Sequence, residues 1–76
     1  MPKRIFIGSL SLNTTDATIQ STFAPYGTLV SAAIDRGPTG QSLGTATAEY
    51  TTDQAGTDAI AARDRTELDG SIISVS

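Results

Sequence analysis

Ser42–Tyr50 reads "SLGTATAEY", and from Leu43 onward it alternates strictly. In an extended chain Ala46, Ala48 and Tyr50 share one face, while Thr45, Thr47 and Glu49 share the other. A period of two with an aromatic at the end of the small apolar face predicts a half-buried strand whose alanine–tyrosine side is core. The threonine side is expected to meet water, because a slip of one residue would exchange the two faces completely.

Working outward, "KRIFIG" at Lys3–Gly8 is a β-branched and aromatic run closed by glycine, a second strand signal. Ile5 and Ile7 are predicted inward, Arg4 and Phe6 outward. Thr15 is placed to cap a helix over residues 16–24, with Ile19 and Phe23 four apart on its buried stripe, and Pro25 and Gly27 end it. "TLVSAAID" predicts another strand, and "RGPTGQS" a loop by its glycines and proline. Beyond Tyr50, Thr51 with Gln54 has the spacing of a capping box, predicting a helix in which Ala55, Ala59 and Ala62 or Ile60 continue at helical intervals, and within which Gly56 costs about 1 kcal/mol relative to alanine. "TELDG" is a turn or short strand, and "SIISV" a last strand with Ile73 and Val75 inward.

The order is β-α-β-β-α-β, expected as one domain over residues 1–76. Two helices on one face of a four-stranded antiparallel sheet make the ferredoxin-like member of the α+β class. A chain this short buries only about 60% of the surface its unfolded form exposes, so the core is small.

Composition closes several routes. The 76 residues contain no cysteine and no histidine, which removes disulfides, thiolate metal sites and the commonest members of nucleophilic triads and zinc sites. Asp53, Asp58, Asp64, Glu67 and Asp69 fit neither a calcium loop nor a pair of catalytic carboxylates, and read as solvated surface. Nothing pairs a nucleophile with a base, so no enzyme, cofactor or metal is expected. No apolar run reaches the ~20 residues of a membrane span, and the start of the chain lacks a cleavable leader, so an intracellular protein, nuclear or cytoplasmic, is expected. Eight acids against five bases give a formal charge of −3. That balance predicts modest affinity for any polyanion, because phosphate neutralisation supplies most non-specific binding.

With these segments in place, the chain resembles an RNA recognition motif over nearly its whole length. "IFIGSL" at Ile5–Leu10 is similar to the hexamer of that family, and "LGTATAEY" at Leu43–Tyr50 to its octamer, K/R-G-F/Y-G/A-F-V-x-F/Y. "STFAPYGTLVSAAI" and "TELDGSIISV" are similar to the family's first-helix region and ending. The octamer is also similar to that of messenger-RNA export adaptors. The resemblance implies single-stranded RNA held by bases stacked on rings of the open sheet face, in a monomer. Phe6 stands at the hexamer ring; Thr45 and Thr47 stand where the octamer has its two rings, and Leu43 replaces its basic residue.

Each base stacked on a ring contributes roughly 1–3 kcal/mol, so two missing rings forfeit about 2–6 kcal/mol. The expected site is therefore weak: Phe6 for bases, Thr45 and Thr47 beside it, and Arg4, Lys3 and Arg36 for phosphates, on a face completed by Ala33, Glu49, Ile72 and Ser74. The competing expectation, fed by the two threonines, the negative charge and the lack of basic tails, is a fold kept for a protein partner or an engineered scaffold.

Overall fold

The computed structural model describes residues 1–76. It opens with β1, Lys3–Gly8, followed by α1, Asp16–Phe23, and a single 3-10 turn at Ala24–Tyr26 that carries Pro25. Then come β2, Leu29–Arg36, β3, Ser42–Tyr50, and α2, Asp53–Arg63. Three two-residue strands finish the chain: β4, Glu67–Leu68, β5, Ser71–Ile72, and β6, Ser74–Val75. The main sheet runs β2-β3-β1-β6 with every pairing antiparallel, and β4 and β5 form a separate ribbon. This is the ferredoxin-like α+β fold.

Alternation decides which side of the sheet is covered. Ile5 and Ile7 of β1 lie opposite Ala48 and Ala46 of β3, which lie opposite Ala32 and Ile34 of β2. All six are buried, together with Tyr50 and Val75. The alanines of the central strands leave depth that Ile19 and Phe23 of α1 and Ala55 and Ala59 of α2 fill, so both helices pack on this one face. Tyr50 is wholly buried, and its hydroxyl donates to the carbonyl of Phe23 at 2.6 Å, tying the end of β3 to the end of α1. The alternation read from Ser42–Tyr50 thus sets both faces as expected.

Thr15 caps α1, its hydroxyl accepting from the Thr18 amide. Asp16 ties that helix to the sheet by accepting from the Ile34 amide at 2.8 Å, where the β2–β3 register shifts.

Two local expectations are corrected. The cap of α2 is Thr52 rather than Thr51: its hydroxyl accepts from the Ala55 amide at 3.2 Å, while the Thr51 amide is still bonded to the Thr28 carbonyl as strand pairing ends. Gln54 then donates along the helix to Asp58 instead of closing a capping box. "SIISV" is two strands and not one, because Ser71 and Ile72 pair with Leu68 and Glu67 in the ribbon while only Ser74 and Val75 join β1. Ile73, between them, is buried and bonded through its backbone to Arg65 and Thr66.

Candidate nucleic-acid interface

No helix covers the second face of the sheet, and the register arranges its side chains in rows. Phe6 of β1 lies opposite Thr47 of β3, which lies opposite Ala33 of β2. On the other flank the Phe6 amide and carbonyl bond to Ser76. One row along, Arg4 lies opposite Glu49. In the other direction come Gly8, Thr45 and Asp35. The Phe6 side of β1 is open because hydrophobic parity has already assigned Ile5 and Ile7 to the core. As a result the ring keeps 55% of its area exposed.

This face carries one cation, Arg4, against two carboxylates, Glu49 and Asp35. The Arg4 guanidinium meets Glu49 Oε1 at 3.5 Å, with the arginine side chain 62% exposed. Such a surface pair is worth about 0–1 kcal/mol to stability, but it hands the arginine a carboxylate where a phosphate would compete. Thr45 Oγ1 donates to Asp35 Oδ2 at 2.8 Å. At the Thr45 end of the face, away from Arg4 and Glu49, lies a depression of about 340 Å³ whose lining includes Phe6, Gly8, Asp35, Thr45, Ser74 and Ser76.

Of the residues singled out from sequence, Phe6, Arg4, Thr45 and Thr47 come together on this surface. Lys3 and Arg36 do not. Lys3 shares parity with Ile5, and its stem lies on the helix side: a Cβ added to Gly56 of α2 would stand 2.2 Å from Lys3 Cγ. Gly56, a cost in a free helix, is what lets α2 settle on the edge of β1. Arg36 is exposed on the parity of Ile34. Its guanidinium donates to the Gly40 carbonyl at 3.0 Å and sits 3.8 Å from Asp16 of α1. Ile72 pairs with Glu67 in the ribbon, outside the main sheet.

Sequence reasoning missed Asp35, Ser76 and the bareness of Gly8. A signal existed for Asp35: it has the same parity as Ala33 in "SAAID", two residues on. The acids expected at the surface are exposed, and two of them also hold the fold through hydrogen bonds. Asp64 accepts from the Val75 amide at 2.9 Å, and Asp69 from the hydroxyl of buried Thr14 at 2.7 Å.

Comparison with known proteins agrees with this geometry. The model of the RNA recognition motif family matches residues 5–74. The chain is 38% identical over 78 residues to the mitochondrial glycine-rich RNA-binding protein 2 of Arabidopsis thaliana, a match covering 100% of the chain and 49% of that protein. It therefore spans about half the length of this curated relative. Among solved structures, the first two RRM domains of the yeast poly(U)-binding protein superpose with a TM-score of 0.92 at 21% identity, covering 99% of the chain and 46% of theirs. The Sex-lethal protein in complex with RNA superposes with a TM-score of 0.88 at 26% identity, covering 96% of the chain and 46% of that one.

Proposed function

The chain belongs to the RNA recognition motif family, and we propose from that premise that its open sheet face binds single-stranded RNA weakly, without catalysis. Phe6 carries the reading: one ring, 55% exposed, stands in the middle of a sheet face that no helix covers. A base laid on it gains roughly 1–3 kcal/mol, and the threonines at 45 and 47 add hydroxyls but no further platform. Arg4 is the one cation of the face, so the phosphate contribution is small and salt-sensitive. Lys3 and Arg36, on the helix side, act at most on RNA that wraps around the sheet's edges. The RNA-binding relative and the RNA complex of Sex-lethal support the choice of ligand.

The test is a titration of the isotope-labelled protein with pools of short single-stranded RNA at ~50 mM salt. Expected are amide shifts confined to Arg4, Phe6, Thr45, Thr47 and their strand neighbours, fitting a dissociation constant of ~0.1–1 mM that weakens as salt rises. Replacing Phe6 by alanine should leave the spectrum folded and abolish the shifts. A protein whose sheet amides stay still at millimolar RNA has no such function.

A further inference from the structure

The depression beside Phe6 has a carboxylate on its wall, where a surface built only for phosphate would carry a base. Asp35 is exposed on β2, and the Thr45 hydroxyl that donates to its Oδ2 fixes the orientation of the carboxylate. Oδ1 has no hydrogen bond within the protein. The floor is Gly8, which carries no side chain and lies beside Ser74: a Cβ there would stand 2.9 Å from Ser74 Oγ. The space measures about 340 Å³, and the Phe6 ring forms part of its lining, so a base stacked on that ring lies beside Asp35.

A carboxylate only accepts hydrogen bonds, so it discriminates among base edges by their donors. Guanine alone offers two adjacent donors, N1–H and the exocyclic N2 amine, which match the two carboxylate oxygens. Uracil offers one N–H flanked by two carbonyl oxygens. Adenine and cytosine each set an amino group beside an unprotonated ring nitrogen, whose lone pair faces the carboxylate. Ser74 and Ser76 on the opposite wall donate or accept equally well and add no discrimination. Resting on the RNA-binding reading above, we infer that Asp35, oriented by Thr45, makes the Phe6 subsite selective for guanine.

The probes are five single-stranded pentamers, two uridines on either side of a central guanosine, adenosine, cytidine, uridine or inosine, titrated into the protein and into its Asp35→Asn variant at ~50 mM salt. The guanosine pentamer should bind about fivefold or more tightly than the uridine pentamer, with inosine, which lacks the exocyclic amine, losing most of that advantage. Asp35→Asn should erase the preference, bringing the guanosine and uridine pentamers to within about twofold of each other, with a well-dispersed amide spectrum showing that it folds. Equal affinity for all pentamers, preference for another base, or a guanosine preference that survives in Asp35→Asn overturns the inference and leaves RNA binding standing. Failure of every pentamer to bind overturns both.

Discussion

Phe6 and Thr47 face each other across β1 and β3, and the contrast between them sets the strength of the site. The ring offers a stacking surface; the threonine beside it offers a methyl and a hydroxyl. Arg4 is similarly limited by its neighbour, since Glu49 occupies the guanidinium from directly across the strand pair at 3.5 Å. Glu49→Gln keeps the shape and removes the competing charge. RNA affinity should rise about threefold or more at ~50 mM salt, the gain shrinking as salt screens the charge, with stability changed by less than about 0.5 kcal/mol. Parallel RNA titrations and denaturant melts of parent and variant check both. Phe6, Arg4 and the threonines were legible as a set because strand parity assigns them one face. Parity with Ala33 gives Asp35 the same face, but its place beside Thr45 depends on the β2–β3 register, which no property of β2 alone specifies.

At the level of elements, the start of α2 shows how a neighbouring strand moves a boundary. "TTDQ" holds two candidate caps, and the choice falls on Thr52 because Thr51 is still held to Thr28 by the end of sheet pairing. Thr52→Ala should therefore cost about 1 kcal/mol of stability by chemical denaturation, while Thr51→Ala, whose hydroxyl caps nothing, should cost a small fraction of that. Equal losses would move the cap back to Thr51. The ending was equally open to misreading. "SIISV" has the pattern of one strand, yet the Asp69-Gly70 turn folds Ser71 and Ile72 back onto Glu67 and Leu68 before the chain reaches β1. Gly56 belongs at this scale too: helix propensity counts it as a weakness, and only the passage of the Lys3 stem explains it.

For the molecule as a whole, Tyr50 links the sheet, α1 and the titration behaviour of the core. Its phenol is wholly buried, and burial, with a smaller contribution from Tyr26, pushes its pKa up to about 12 from 10.0, Arg63 pulling the other way. A group raised in the folded state stabilises the fold fully below its unfolded pKa and loses that contribution as pH climbs through the folded value. Stability should thus fall between about pH 10 and 12 as the buried hydroxyl is forced to ionise. Tyr50→Phe should cost about 1–2 kcal/mol at neutral pH, from the lost bond to the Phe23 carbonyl, and should remove this part of the alkaline fall. Denaturant unfolding of both proteins from pH 7 to 12 checks the sign: a fall of equal steepness in the variant would assign the titration elsewhere.

By itself the sequence determined the order of the elements as far as α2, the two faces of β1 and β3, and the core of Ile5, Ile7, Ile19, Phe23, Tyr50, Ile73 and Val75. These follow from local periodicity and from the free energy of keeping apolar side chains out of water, both of which are written in consecutive residues. Strand parity already set Lys3 with Ile5 and Arg36 with Ile34; only the tertiary structure decided that Thr52 caps α2, and that Asp35, Thr45, Gly8 and Phe6 line one depression. Each of those depends on distances between strands and helices far apart in the chain, and such distances are set by how the elements pack and register against one another.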